Sequence, residues 1–407
     1  MTDATQPRMA RGRMLSAGVL VAALFALLAF APIASATPDP VGSGSTKITL
    51  NSGWTNYLKT FGIKIQKIGP AKLKGKQATF SYSEGSVDPT TGLGTLNLEG
   101  GLKFKAGKKN AQVKALVVDT AGKKITAKIG GKKVKFATIA GWSQTRNGFG
   151  VNITIKKLKL TNAAATQLNK KTGYAKGKPK PFLKNKLIGK SNSEVQPATV
   201  AVVAAGNASL QLAPQALAKL QHVGNPPGVP PFDSVKVNLA PVAPTTFDLP
   251  TLTAGFPISG GSLAPDGAAG TVQTSGGLKL VQNLEAISEP GNVTTLTMSN
   301  IWVDMGAKTA SVEVIIENPK TAAANLGNLG RASIADIDLS GATITSDANA
   351  HTVTVTGAKA TLQAVTAATL NQVFIEGLEK ANPGYVGQEK FAAGDPLGTV
   401  SFTVQTQ

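Results

Sequence analysis

The stretch Gly94-Thr-Leu-Asn-Leu-Glu-Gly-Gly-Leu-Lys-Phe104 returns later in the chain as Gly270-Thr-Val-Gln-Thr-Ser-Gly-Gly-Leu-Lys-Leu280. Extended back to Phe80 and Phe256, the two stretches are identical at 11 of 25 positions without a gap. Self-similarity of this kind predicts two copies of one structural unit. The repeated glycines, spaced among short apolar runs, indicate turns and bulges between strands.

Further matching positions follow the same order along the chain and fix the extent of the two copies. These pairs are Val118-Asp119 with Val303-Asp304, Leu168-Asn169 with Leu370-Asn371, Phe182 with Phe391, and Gly189 with Gly398. They place a first module at residues 46–196 and a second at 207–407. A linker at residues 197–206 separates the modules; its alanine- and valine-rich sequence suits either a strand or a tether.

Strand-type patterns dominate both copies. Polar and apolar residues alternate in Val353-Thr-Val-Thr-Gly357 and in Val400-Ser-Phe-Thr-Val404, as in half-buried strands. Short helices are predicted over Gly53–Thr60, Ala163–Asn169, Pro214–Gln221 and Thr366–Leu378. We therefore expect an all-β fold of two tandem β-sandwich-like modules, each with one or two short helices.

The first 36 residues resemble a secretory signal peptide. Arg8, Arg11 and Arg13 precede a long apolar run, and Ala34-Ser-Ala36 offers small residues at the cleavage site. The alternative is an uncleaved N-terminal anchor, and no later stretch is apolar enough to span a membrane. The sequence thus predicts a secreted or cell-surface protein.

Enzymatic chemistry is weakly represented. The chain has no cysteine, which excludes disulfides, thiolate metal sites and cysteine nucleophiles. Its two histidines, His222 and His351, have no histidine counterpart in the first copy, and no catalytic motif surrounds them. The one carboxylate pair shared by the copies, Asp119 and Asp304, ends predicted strands and suits turn closure. We expect a non-enzymatic protein without a catalytic site.

Charge is divided unequally between the copies. Residues 46–190 contain 29 Lys and one Arg against four acids, a net charge of +26, whereas residues 207–407 contain nine basic residues against 15 acids, a net charge of −6. A solvated lysine face is one explanation, but a net charge of +26 exceeds what solubility requires and predicts attraction to an extracellular polyanion such as an anionic wall polymer, lipid headgroups or shed nucleic acid. Lysine does not make the bidentate contacts that read bases, so sequence-specific nucleic-acid binding is not expected.

Two segments of the first copy resemble the HtaA-domain family of actinobacterial secreted and cell-surface haem-uptake modules. Gly53-Trp-Thr-Asn-Tyr57 is similar to the family's opening helix motif, and Gly100–Phe104 to its central hairpin. The resemblance implies haem as the cofactor, with Tyr57 ligating the iron and Trp54 beside it. Tyrosinate suits ferric haem, and lysines near Tyr57 are candidates for contacts to the haem propionates.

The chain departs from the family pattern at the positions that matter most for haem. The supporting histidine is replaced by Gly107 in the first copy and Asn283 in the second, while Lys219 stands at the tyrosine position of the second copy and Ala216 at that of Trp54. Tyr57 also has a purely structural explanation. It shares helical spacing with Trp54, Leu58 and Phe61, which predicts one apolar face packed on a sheet. Haem binding and a structural or adhesive envelope role therefore both remain open.

Overall fold

The protein's structure is a computed structural model that describes residues 38–175, 179–224 and 235–407. The predicted signal peptide, residues 1–36, lies outside the described residues. No helix of the described ranges has the length and apolar character that crossing a membrane requires.

The first sheet is built from eleven antiparallel strands and carries two helices. Its strands are β1 (Asp39–Leu50), β2 (Ile63–Ile68), β3 (Lys72–Lys74), β4 (Gln77–Phe80), β5 (Tyr82–Val87), β6 (Gly94–Ala106), β7 (Lys109–Asp119), β8 (Lys124–Ile129), β9 (Lys132–Asn147), β10 (Gly150–Leu160) and β11 (Leu187–Pro197), and its helices are α1 (Ser52–Thr60) and α2 (Asn162–Thr172). Strands β5 to β11 follow in order, and β1 pairs with both β5 and β11, so the sheet closes on itself.

The second sheet repeats this plan with thirteen strands. They are β12 (Val200–Ala201), β13 (Asn207–Leu212), β14 (Val237–Val242), β15 (Thr246–Asp248), β16 (Thr253–Leu263), β17 (Gly270–Thr274), β18 (Gly277–Asn283), β19 (Val293–Asp304), β20 (Thr309–Glu317), β21 (Gly327–Asp338), β22 (Thr343–Asp347), β23 (Thr352–Leu362) and β24 (Pro396–Gln405). This sheet also closes, through β13, β24, β23, β21, β20, β19, β17 and β16.

The helices of the second sheet occupy the same places in the order as those of the first. They are α3 (Pro214–His222), α4 (Ala364–Leu370) and α5 (Gly377–Ala381); a π-helical segment, Asn371–Glu376, joins the last two, and 3-10 turns form at Ala322–Ala324 and Pro383–Tyr385. The expected fold class is confirmed: nearly all β, with two closed sheets and few short helices. Within the predicted linker 197–206, β12 is a strand that pairs with β16.

One glycine of the repeated motif shows why the motif recurs. Gly100 and Gly276 both adopt φ near +80°, a conformation that favours glycine. A Cβ at Gly100 would lie 2.6 Å from the Ile68 carbonyl oxygen, and one at Gly276 would lie 2.9 Å from that of Val242. In each sheet the chain between two strands passes so closely over this position that no side chain fits.

A second repeated feature anchors the loop after the last helix in each sheet. The Asn169 side chain donates to the Phe182 carbonyl at 2.8 Å and accepts from its N–H at 3.2 Å. Asn371 makes the same two bonds to Phe391, at 2.9 and 2.7 Å. The predicted pairing of these asparagines and phenylalanines therefore corresponds to equivalent contacts.

The interiors of the two sheets differ. Buried apolar side chains of the first sheet form one continuous cluster, running from Ile48 to Val195. Those of the second sheet fall into three separate clusters, the smallest being Ala254, Phe256 and Leu278. A cavity lies between two of these clusters.

Candidate functional site

Helix α1 positions the residues that the family resemblance singles out. Asn51 caps it, since its side chain accepts from the Trp54 N–H at 3.0 Å and satisfies a donor that would otherwise lack a partner. A helix turns about 100° per residue, so Trp54 and Leu58 point into the sheet while Tyr57 lies at the edge of the buried face. The predicted apolar face is therefore present, with Tyr57 at its margin.

Tyr57 is half-buried and surrounded by aromatic and basic groups. Its hydroxyl donates to the Lys180 carbonyl at 3.2 Å, and its ring packs edge-on against Phe61 at 5.1 Å. Phe61 in turn contacts Tyr174 at 5.7 Å, and the Lys186 ammonium lies 5.9 Å from the Tyr57 ring centroid. The tyrosine thus belongs to a partly exposed aromatic group flanked by lysines, and its oxygen already has one partner.

Trp54 lies in the core of the first sheet. The side chain is 1% exposed and packs edge-on against Phe104 at 5.9 Å, and Phe104 packs against Phe182 at 5.5 Å. Edge-to-face stacks of this kind add to the stabilisation from burial. These three rings fill the space beneath α1, so a ligand of the first sheet would meet Tyr57 from outside rather than Trp54 from within.

The equivalent space in the second sheet is hollow. Ala216 stands where Trp54 does and Leu280 stands where Phe104 does, so two large rings are replaced by small or aliphatic side chains. A cavity of about 580 Å³ opens between α3 and the inner faces of the strands. Its wall is mainly aliphatic and includes Leu278, Met298 and Val314. This volume lies within the range of small-molecule binding sites.

Helix α3 covers the cavity without sealing it. None of its residues is buried, in contrast to α1, and its N-cap Ala213 provides no side-chain hydrogen bond, although Pro214 suits the first helical turn. The rim also carries apolar side chains in water: Leu329 is 47% exposed and Val365 is 65% exposed. The cavity therefore communicates with solvent past an apolar rim.

Charged groups of the cavity wall gather at one point beside α3. The Lys219 ammonium contacts Asp395 Oδ2 at 2.8 Å and Glu389 Oε1 at 3.4 Å, and it lies 5.6 Å from the Phe391 ring centroid. Burial raises the pKa of Asp395, but hydrogen bonds from Lys219 and the Ala392 N–H outweigh this and hold the pKa below its usual value. Lys219 therefore stabilises the ionised form of the Asp395 carboxyl.

The sequence does not predict this cavity, although one sign of it is visible. Ala216 and Lys219 depart from the family motif, which by itself indicates the loss of a haem site. His222, interpreted as incidental, lies at the end of α3 and lines the cavity. His351 lies elsewhere, against Phe149, with 6.2 Å between the ring centroids.

No group of three or more His, Asp or Glu side chains is arranged within the described ranges to hold a metal ion. Asp119 and Asp304 close turns, as expected, by accepting from the N–H groups of Gly122 at 2.6 Å and Ala307 at 2.8 Å.

Comparison with known proteins confirms the resemblance found in the sequence. The family model HtaA, described as Htaa, matches residues 247–384, which lie in the second sheet. No curated protein matches the chain.

Similar solved structures come from Corynebacterium glutamicum. The N-terminal domain of HtaA is 14% identical, with a TM-score of 0.33, and the alignment covers 50% of this chain and 99% of that domain. The haem binding protein HtaB is 16% identical, with a TM-score of 0.31, covering 51% of this chain and 95% of that one. The C-terminal domain of HtaA is 13% identical, with a TM-score of 0.30, covering 39% and 98%.

Proposed function

We propose that this is an extracytoplasmic, non-enzymatic binding protein with HtaA-like domains, and that its second sheet encloses an apolar small molecule beneath α3. The observation that carries this proposal is the cavity of about 580 Å³ with its aliphatic wall. Transfer of an apolar ligand from water into such a wall contributes about 25 cal/mol per Å² of buried surface. The open rim beside Leu329 and Val365 provides the entry route.

The test is a titration of the mature protein with Nile red, an uncharged dye that fluoresces in apolar surroundings. Wild type should give saturable binding to one site. Ala216→Trp should abolish it, because the indole would occupy the space that Trp54 fills in the first sheet. Val386→Trp is the matched control, since it adds the same ring at a position that is 67% exposed. Unchanged binding in Ala216→Trp would contradict the proposal.

Haem is the ligand suggested by the family resemblance, and Tyr57 is its proposed iron ligand. Ferric haem supplies a metal centre that accepts a tyrosinate oxygen. The residues fit this group in part: the Tyr57 hydroxyl lies at a half-exposed edge near Lys186, but Gly107 provides no side chain at the family's histidine position. We therefore propose one-sided ligation by Tyr57 with lysines toward the propionates.

A haemin titration followed by visible absorbance distinguishes haem binding at Tyr57 from haem binding in the second sheet's cavity. If haem binds at Tyr57, Tyr57→Ala and Tyr57→Phe both lose the tyrosinate spectrum, whereas Ala216→Trp retains it. A haem spectrum that is unchanged in both Tyr57 variants and lost in Ala216→Trp would place haem in the second sheet's cavity. A spectrum that none of the three substitutions changes would exclude both binding sites.

A second function is favoured by the exposure of lysines in the first sheet. Among its described lysines between residues 46 and 190, all but the half-buried Lys103 and Lys124 are exposed. This density of unscreened positive charge suits an anionic polymer of the cell envelope.

Immobilised polyphosphate is the probe for this second function. Retention should fall steeply with added salt and should persist in Tyr57→Ala. Reversing the charge of β9 with Lys132→Glu, Lys133→Glu and Lys135→Glu should weaken retention, and retention unaffected by both salt and charge reversal would contradict it.

A further inference from the structure

The cavity of the second sheet has a simple charge pattern. Lys219 is the lysine among the described lining residues, and its ammonium already contacts Asp395 and Glu389. The side chains deeper in the wall, such as Leu296 and Val312, are uncharged. A ligand inside the cavity therefore meets an apolar surface and, at one place, an ammonium that already contacts two carboxylates.

The ion pair beside α3 resists rearrangement. The Lys219 side chain is 13% exposed and that of Asp395 is 28% exposed, so both charges have limited access to water. Asp395 Oδ2 also accepts from the Ala392 N–H at 2.9 Å, which fixes it within its own loop. If Lys219 turned to another anion, Asp395 would lose its partner while still partly buried, which is costly.

A ligand whose anionic head enters the cavity has two unfavourable options there. It can compete with Asp395 for Lys219, or it can lie beside Asp395 and Glu389, where like charges repel. An uncharged apolar ligand meets neither cost, because it leaves the ion pair intact and buries apolar surface against the wall.

Building on the proposed function, we infer that the cavity takes an uncharged apolar molecule and discriminates against one with a carboxylate head group, with the Lys219–Asp395 pair as the specificity determinant. Because Asp395 already contacts the Lys219 ammonium, this ammonium is not available to bind the carboxylate of a ligand. Lys219 stands at the position of Tyr57 in the first sheet, so the same helix site serves selection in one sheet and the proposed iron ligation in the other.

The experiment compares two ligands that differ only in the head group. Dodecanol and dodecanoate are titrated against the protein without its predicted signal peptide, loaded with Nile red, at a pH where the acid is ionised. Dodecanol should displace the dye at a concentration at least about tenfold lower than dodecanoate, corresponding to one unfavourable charge contact. Equal displacement, or a preference for dodecanoate, would overturn the inference.

Two substitutions test the assigned pair directly. Asp395→Asn removes one of the two carboxylates that contact Lys219 and leaves the ammonium paired with the exposed Glu389, so dodecanoate binding should improve about tenfold relative to dodecanol binding. Lys219→Met removes the cation and leaves both carboxylates, so it should weaken dodecanoate further. If Asp395→Asn leaves the ratio of the dodecanol and dodecanoate affinities unchanged, the Lys219–Asp395 pair does not determine the specificity.

Failure of this inference differs from failure of the proposed function. If Nile red does not bind, or binds equally well to Ala216→Trp, the cavity is not a binding site and both ideas fail. If Nile red binds as proposed and neither dodecyl ligand displaces it, the proposed function holds, but the inference is overturned because the uncharged dodecanol is not taken in preference to the acid. Circular dichroism of each variant verifies that the sheet remains folded.

Discussion

The spaces beneath α1 and α3 differ far more than the sheets that surround them. In the first sheet Trp54, Phe104 and Phe182 fill the interior in a continuous edge-to-face stack. In the second sheet Ala216 and Leu280 leave a cavity at the same place. Strand order, the turn at Gly100 or Gly276 and the asparagine anchor are common to both. A closed sheet of this type therefore tolerates either a filled or an open interior, and the smaller side chains Ala216 and Leu280 accompany the open one.

The largest expected effect comes from creating a cavity in the interior of the first sheet. Trp54→Ala should lower the free energy of unfolding by about 3–5 kcal/mol, because it removes a fully buried ring and leaves a cavity. Urea unfolding followed through Trp142 fluorescence, in a Trp302→Phe background, reports on the first sheet. The variant should also raise the Nile red stoichiometry from one site to two.

Trp54→Phe provides the matched control. The ring still fills most of the space, and the indole N–H, which is buried without a hydrogen-bond partner among the described residues, is removed. The loss should be below about 1.5 kcal/mol, with no second dye site. If Trp54→Ala binds no additional dye, the filled interior does not explain the difference between the sheets.

The junction between the sheets tests whether they unfold separately. Asp39, in β1, is 5% exposed, and its Oδ1 accepts from the Ala201 N–H in β12 at 3.3 Å. Burial raises its pKa from 3.8 to about 6, against smaller lowering effects of the Ala201 hydrogen bond and Arg146. The unfolded chain thus releases this proton at lower pH, and stability falls as pH rises from about 4 to about 6.

Asp39→Asn should remove this loss. At neutral pH the variant should be more stable than wild type by about 2–3 kcal/mol, the equivalent of about two pKa units, and below pH of about 4 the two should be equal. Urea unfolding at both pH values measures the difference. An equal gain at both pH values would assign the effect to packing rather than to ionisation, and a change confined to one sheet's transition would show that the sheets are independent.

The shared framework was predictable from the sequence, whereas the cavity was not. Short-range rules sufficed for the repeat at Gly100 and Gly276, for the strand-end Asp119 and Asp304, and for the helix spacing that buries Trp54. A void depends instead on the volumes of side chains that approach from many strands, and no spacing rule sums these volumes. The Trp54-to-Ala216 replacement was visible, but its consequence depended on Leu280 and on the position of α3 in space. The π-helical segment Asn371–Glu376 likewise replaced part of a helix predicted as continuous.

The asparagine anchors offer a smaller test, because the two sheets bury them to different extents. Asn169 is 4% exposed, whereas Asn371 is half-buried. Asn169→Ala should cost about 2–3 kcal/mol, since the buried Phe182 N–H and carbonyl lose their partner, and Asn371→Ala should cost about 1 kcal/mol less, because water reaches Phe391 more easily. Urea unfolding measures both, with exposed Asn162→Ala as the control. Equal losses would show that the loops are anchored equally despite the hollow interior.

The smallest expected effect concerns Asp119 and Asp304, which close equivalent turns in the two sheets. Asp119 and Asp304 each accept one backbone N–H, but Asp119 also contacts the Lys124 ammonium at 3.2 Å. Asp119→Ala should therefore be more destabilising than Asp304→Ala by no more than about 1 kcal/mol, the range for exposed ion pairs, and the excess should shrink in high salt. Thermal unfolding of both variants at two salt concentrations measures it. A salt-independent excess would mean that the lysine contact contributes nothing and that the two turns themselves differ, which would extend the difference between the sheets from their interiors to their framework.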